Sequence, residues 1–538
     1  MAEHETKEHA MESIYDVLII GYGAAGACAA IEAADAGARV LALDRGYGGG
    51  ASALSGGVVY AGGGTPHQKA VGLVDTPDNM FEYLRQELDD VVSEKTLRRF
   101  CETSPAMIEW LEKQGAEFRG TLCPYKTSYP SDPYYLYYSG NEKAWPYALH
   151  ATPAARGHRQ VAKGLGSGAV LFDRLRRAAM AKGVEFRPLS RVHELIVENG
   201  VVAGVRYRTM DPATEAGHRH LKLSKAGGKL GNWLPPIGTR LNARAEALWQ
   251  QNSDHVEVRA KTVILAAGGF IYNPAMHAEH AVGTYADLLP LGTVGDDGSG
   301  IKLGLSAGGA TANLDRMSAW RFIAPPSAAV EGVSIGPSGR RIVNEDLYGA
   351  TFGDHMIREH SGRGFLVLDS RQWKKARGQI KSQTQTFQRL QAAYLFSVGH
   401  KKAATLQELA KKIGVPAATM AETVRAYNTG IRTDSGDPGH KAADMCSPVE
   451  AGPFYAIDIS IKNVPAYPTP GLTLGGLRVD EETGQVLKAD AVPVPGLYAA
   501  GRSAVGLCSN NYLSGLSLAD CVFSGRRAGL HAARFLPV

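Results

Sequence analysis

With 538 residues, 44% of them hydrophobic and 21% charged, the chain has the makeup of a globular protein of two or three packed domains. A formal charge of +5 from 58 basic and 53 acidic residues is too slight to mark a nucleic-acid partner. Six cysteines without CxxC or Cys/His ligand spacing argue against a metal centre, and no uncharged apolar run reaches the roughly 20 residues needed to span a bilayer.

The polar opening MAEHETKEHAMESI lacks the apolar core of a signal peptide, so a cytoplasmic location is the expectation. Next come YDVLII (15–20), GYGAAG, a helical ACAAIEAADAGA and RVLALD (39–44), which together predict a β-α-β unit. Gly21, Gly23 and Gly26 form GxGxxG at its strand-to-helix turn, and Asp44 ends the second strand. Such glycines let a pyrophosphate approach the helix N-terminus, and the acid can hold a ribose hydroxyl.

Two more apolar strands, TVILAAGGF (262–270) and PGLYAAGR (495–502), end in small residues and are expected to reach the same dinucleotide. No second complete GxGxxG follows, so one long-lived dinucleotide built from distant segments is expected, which suggests FAD. Residues 209–256 read as an insertion. They interleave Leu221, Leu223, Leu230, Trp233, Leu234 and Ile237 with Lys222, Lys225, Lys229, Arg240 and Arg244. That mixture suits an ordinary surface excursion between strands, or peripheral contact with an anionic membrane through 221–240.

Residues 405–430 predict two helices, with a capping box at Thr405 and Glu408, a glycine stop at Gly414 and Pro416 opening the second. A DNA-binding helix pair would need cations on its second helix. Arg425 alone is available, so a pair inside a covering domain is the better reading.

GYGAAG, GGGASALSGGVVYAGGGT (48–65), VILAAGGF, GDDGSGIKLGLSAGGA (295–310), GRRIVNED (339–346), LTLGGLRVD (472–480) and PGLYAAGR together resemble the fumarate reductase/succinate dehydrogenase flavoprotein superfamily, which includes the 3-ketosteroid dehydrogenases. The resemblance covers about residues 14–535. It implies an α/β, Rossmann-like doubly wound FAD-binding domain in two parts (12–305 and 455–538), with an inserted α+β capping domain (306–454). Implied FAD contacts are Gly21, Gly23, Ala25, Gly26, Asp44, Arg45, Gly49, Ala51, Ser52, Ser55, Gly56, Gly57, Ala267, Gly268, Gly501, Arg502, Ser517 and Leu518. Covalent members attach flavin through a histidine near the GASALSGG stretch. Residues 50–57 have none, so FAD is expected to be held non-covalently.

Dicarboxylate members carry an arginine four residues after the glutamate of their NE motif. Here that glutamate is Glu345 and Gly349 stands at the arginine position, which removes the charge-assisted clamp and argues against fumarate reduction. EDLYG, with Tyr348, and SNNYLSGLSLAD, with Tyr512 and Ser514, are instead similar to the 3-ketosteroid Δ4-(5α)-dehydrogenases, as are LYYSG (136–140) and ATPAARGH (151–158). The Δ1-dehydrogenases carry a Tyr-Pro-Gly-Pro-Gly type of stretch where this chain has Tyr-Leu-Ser-Gly-Leu (512–516).

The resemblance implies introduction of the C4–C5 double bond into a 3-ketosteroid, with hydride passing from C5 to flavin N5. Tyr512 would be the C4 base, made acidic enough by its surroundings, with Ser514 as relay and Tyr348 as its support from the capping domain. Backbone N–H groups near Gly515 would polarise the carbonyl, and the helix start at Leu516–Leu518 would face the flavin pyrimidine. Of the aromatic run Tyr134, Tyr135, Tyr137 and Tyr138, one residue, taken as Tyr138, is expected to touch substrate, the others forming an apolar wall. A Δ1-dehydrogenase or an enone reductase is the alternative. The electron acceptor, a quinone or another carrier, is not legible.

Overall fold

The computed structural model describes residues 15–231, 235–462, 464 and 466–535. At its centre Tyr15–Ile20 pairs in parallel with Val40–Leu43 on one side and with the second half of Asp254–Leu265 on the other. Glu185–Arg187 extends one edge in parallel, Pro493–Ala499 the other, and Gln485–Leu487 closes that side antiparallel. The central strand is apolar on both faces, as a sheet covered on both sides requires.

The first half of Asp254–Leu265 leaves this sheet and pairs antiparallel with Val201–Thr209, which pairs with Ser190–Glu198. The excursion expected at 209–256 is therefore a helical hairpin, Glu215–Gly231 and Pro235–Asn252, inserted between two paired strands. It is anchored at its base: Trp249 donates to the Leu189 carbonyl at 3.1 Å and lies under the Arg191 guanidinium, while Glu246 pairs with Arg191. Of the residues named for membrane contact, Trp233 and Leu234 lie outside the described residues. No helix among the described residues is long and apolar enough to cross a membrane.

A four-stranded antiparallel sheet lies outside the central one, in the order Val333–Ile335, Phe365–Leu368, Phe454–Asp458, His400–Ala403. The boundary expected at 454 thus falls on the first residue of an internal strand, and this sheet runs to Asp458. The helix pair Leu406–Ile413 and Ala417–Gly430 covers it, burying Leu409, Ile413, Met420 and Val424. Thr405 caps the first helix as expected, but Glu408 reaches back to the Ala404 N–H rather than to that of Thr405.

Two helices far apart in sequence pack closely behind the central strand. A Cβ placed on Gly525 or Gly529 of Leu516–Ala533 would fall 2.4 Å from the Ala25 carbonyl oxygen or 2.3 Å from that of Ala29, both on Ala24–Asp35. Gly529→Leu forces these helices apart and is expected to cost about 1–3 kcal/mol. Thermal unfolding should show a clear fall in Tm, and an unchanged Tm would contradict this packing.

Candidate active site

The loops that leave Tyr15–Ile20, Asp254–Leu265 and Pro493–Ala499 meet at one end of the sheet, the C-terminal edge where open α/β sheets bind ligands. Gly21 adopts φ +95°, and a Cβ there would lie 2.4 Å from the Ala266 oxygen; at Gly26 it would lie 2.1 Å from the Gly21 oxygen. Contacts within the protein therefore account for both glycines. Gly23 is different, because its nearest neighbour would be Ser52 Oγ at an ordinary 3.4 Å. A Cβ there would meet only ordinary contacts, so packing within the protein does not require this glycine, and its bare backbone before the helix start leaves a cradle for a phosphate.

Around this cradle, Ser52 Oγ accepts from the Ala24 N–H at 3.1 Å. Asp44 accepts from the N–H groups of Tyr22 at 2.8 Å and Gly46 at 2.7 Å, which aims its carboxylate at the turn. Gly49 turns through φ +91° into the short helix Gly50–Leu54, which carries Ala51 and Ser52. Ser55 Oγ accepts from the Gly57 N–H, Gly56 lies against Tyr129, and Gly57 meets the start of Ser167–Ala181.

Arg45 is drawn to Asp297 in an ion pair. Arg502 pairs with Asp296 beside Gly268, yet its Nη1 is buried without a partner. A buried unpaired guanidinium N–H calls for an acceptor, and the pyrophosphate or flavin of a dinucleotide supplies one. Ala267 precedes this contact, and Gly501, at φ +59°, donates its N–H to Ser524 Oγ. Gly515, at φ +93°, opens Leu516–Ala533 with no side-chain cap, which leaves helix-start N–H groups around Ser517 and Leu518 for an anionic ring edge. These residues fit FAD.

The second part of the site lies just ahead of that helix. Ser514 Oγ is 2.7 Å from the Tyr137 hydroxyl and also interacts with the Tyr348 hydroxyl. The Tyr512 ring lies against Trp320, tilted by 32° with centroids 4.8 Å apart, and its phenol helps to raise those of Tyr137 and Tyr348. One serine and three tyrosines, drawn from three distant segments, thus gather beside the cofactor cradle.

Burial raises the Tyr512 phenol above its ordinary value, with nearby Arg502 only partly opposing this. That is the reverse of the lowered value expected from sequence, because desolvation of the anion outweighs the one nearby cation. Burial likewise raises the Tyr137 and Tyr348 phenols.

Three further findings bear on the sequence reading. The tyrosine of the aromatic run that reaches Ser514 is Tyr137, whereas Tyr138, half-buried, holds the Lys143 ammonium 4.2 Å over its ring. Tyr138 lies just past the strand Leu136–Tyr137. Trp320 and Tyr137 were not singled out for the site, and no sequence spacing pointed to either. Finally, a Cβ on Gly349 would fall 2.2 Å from the Phe322 ring, which packs edge-on against Tyr348. The place of the dicarboxylate clamp is filled by an aromatic ring.

A family described as "FAD binding domain" matches residues 16–518. The chain is 39% identical over 498 residues to the 3-oxo-5-alpha-steroid 4-dehydrogenase of Comamonas testosteroni, covering 90% of this chain and 92% of that protein. It is 31% identical, with a TM-score of 0.81, to the crystal structure of 3-ketosteroid-delta4-(5alpha)-dehydrogenase from Rhodococcus jostii RHA1 in complex with 4-androstene-3,17-dione, covering 98% and 99% of the two chains. The fold is also similar, at 19% identity and a TM-score of 0.66, to 3-ketosteroid delta1-dehydrogenase from Sterolibacterium denitrificans, over 97% and 99% of the two chains.

The cradle gives a direct prediction. Gly23→Val should unfold at a temperature close to that of cofactor-free wild type but purify without flavin absorbance, whereas Gly26→Val should lose the fold itself; full flavin content in Gly23→Val would contradict the phosphate assignment. Matched over residues 16–518, with a glycine turn and three converging strand ends to hold the cofactor, the chain belongs to the FAD-binding domain family of flavoproteins.

Proposed function

We propose that this protein oxidises a saturated 3-ketosteroid to the 4-ene-3-one, removing a proton from C4 and a hydride from C5. The observation that carries the reading is Ser514, two residues after Tyr512, held to the Tyr137 and Tyr348 hydroxyls, next to Gly349, where Phe322 fills the space a clamp arginine would need. Neutral hydroxyls and aromatic rings suit a greasy ketone and give a dianion no charge-assisted partner. The strong similarity to the Comamonas and Rhodococcus enzymes supports the same substrate class.

Bound FAD supplies the hydride acceptor. Tyr512 takes the C4 proton, its ring held in place by Trp320. Ser514, tied to Tyr137 and Tyr348, shares hydrogen bonds across the cluster and carries the proton away from the reacting carbon. N–H groups at Gly515 and the helix start polarise the ketone oxygen, which lowers the cost of the charge that grows there. The aromatic walls formed by Trp320, Phe322 and Tyr348 exclude water. An external acceptor, a quinone or another carrier, removes the electron pair in a second half-reaction.

Because burial raises the Tyr512 phenol above its ordinary value of 10.0, the phenolate fraction grows with pH throughout the neutral and mildly alkaline range. The expected result is a kcat/KM for the ketosteroid that climbs with pH up to at least 10.0. In Tyr512→Phe, flavin content is kept, about 100-fold or more of the turnover is lost and the alkaline rise disappears. Near-normal turnover in that variant would remove Tyr512 from the role of base.

The helical hairpin also supports peripheral contact with an anionic membrane: Lys222, Lys225, Arg240 and Arg244 are exposed, and Ile237 is 44% exposed. Deleting 221–240 is expected to reduce co-sedimentation with anionic liposomes while flavin content is kept. Unchanged co-sedimentation would contradict the contact.

A further inference from the structure

Glu87 takes no part in the chemistry above and is fully buried near the end of the helix Pro77–Leu88. Four donors converge on its carboxyl. Oε1 accepts from the Tyr83 hydroxyl and from Asn141 Nδ2 at 2.8 Å; Oε2 accepts from Asn511 Nδ2 at 3.1 Å; the Tyr147 hydroxyl is a further partner. The Tyr83 oxygen accepts from the Asn141 N–H at 2.8 Å, which favours its hydroxyl donating to Glu87. With two amide donors and a phenol aimed at its oxygens, the carboxyl is set up to act as an acceptor, and the arrangement favours the ionised form.

Both asparagines continue toward the two catalytic tyrosines. Asn511 Oδ1 accepts from the Tyr512 N–H at 2.8 Å. Asn141 Oδ1 accepts from the Tyr348 N–H at 2.5 Å, and its Nδ2 also donates to Thr351 Oγ1 at 2.9 Å, one turn into the helix that Tyr348 begins. We infer that Glu87 is a positioning residue that, through Asn511 and Asn141, fixes Tyr512 on one side of the cleft against Tyr348 on the other. The inference rests on the placing of Tyr512 and Tyr348 in the active site.

The chemistry of a carboxylate explains why a neutral residue would not serve. Gln at 87 offers one acceptor oxygen and one donor NH2, so it can satisfy the Tyr83/Asn141 side or the Asn511 side but not both. One tyrosine then loses its tether. Burial pushes the Glu87 carboxyl up to about 7, against the opposing pull of its Tyr83 and Asn141 hydrogen bonds. Of the ionisable groups around it, Glu142 raises it further, and Lys126, Tyr60, Tyr83 and Tyr147 complete its electrostatic surroundings. Protonation on the acid side of neutrality puts a proton among donors and loosens the same clasp.

The test uses the flavin-loaded full-length protein. Glu87→Gln is expected to keep its flavin and to lower kcat about tenfold or more while KM for the steroid changes little, because angstrom-scale misplacement of a reacting group carries that cost. The extra fall in kcat below about pH 7, steeper than the slope that Tyr512 alone gives, should vanish in this variant. Adding Asn511→Ser should then cost less than the sum of the two separate losses, since Asn511 acts through the same carboxyl that Glu87→Gln disturbs. Amide hydrogen exchange at Tyr348 and Tyr512 should quicken in Glu87→Gln, a readout that needs no substrate and so stands apart from the functional reading.

A kcat within about twofold of wild type together with an unchanged acid limb would overturn the inference, as would fully additive losses in the double variant. If Glu87→Gln does not fold, Asn511→Ser alone, at a half-buried position, is expected to show the same loss of kcat at constant KM, and its absence overturns the inference equally.

Discussion

The structure depends on the close approach of the helices Ala24–Asp35 and Leu516–Ala533, which only glycine permits at 525 and 529. One follows the first strand and carries the phosphate turn; the other comes nearly 500 residues later and carries Gly515 at its start. The 512–515 segment therefore leads straight into a helix held against the one that follows the Gly21–Gly26 turn. The hydroxyl cluster and the cofactor cradle therefore both attach to this helix pair, although neither segment holds a complete site.

On that frame the substrate class follows from what surrounds the reacting carbon. A dianionic acid would need a cation where Gly349 stands, and the Phe322 ring is already there. What remains is a cluster of phenols and one serine between aromatic walls, with Arg502 held to Asp296 on the cofactor side. Such a site recognises a neutral ketone by shape and a few hydrogen bonds. The buried phenols resist ionisation, so in the proposed mechanism proton removal is the step most sensitive to pH and to the placing of Tyr512.

Much of this was legible in the sequence because the signals are local. The β-α-β unit with Gly21, Gly23 and Gly26, the two other strands ending in small residues, and the pairing of Tyr348 with Tyr512-x-Ser514 all lie within short stretches. The helical hairpin at 215–252 was missed because its mixture of Leu, Trp and Lys was read for surface chemistry rather than for helical period. Tyr137 was hidden beside Tyr134, Tyr135 and Tyr138, and its contact with Ser514 across 377 residues leaves no local spacing to separate it from them. Glu87 gave no sign at all: it ends an ordinary amphipathic helix, and its partners Asn141 and Asn511 arrive from 54 and 424 residues away. Polar networks of this kind are assembled by tertiary contact and leave no spacing to read.

The measurement that bears most directly on the central claim is anaerobic bleaching of the bound flavin by a saturated 5α-3-ketosteroid, with its 4-ene-3-one and succinate as comparisons and product identification afterwards. The account predicts that the saturated ketone alone bleaches the flavin and is recovered as the 4-ene-3-one. Bleaching by the 4-ene-3-one or by succinate, with the saturated ketone inert, would contradict it.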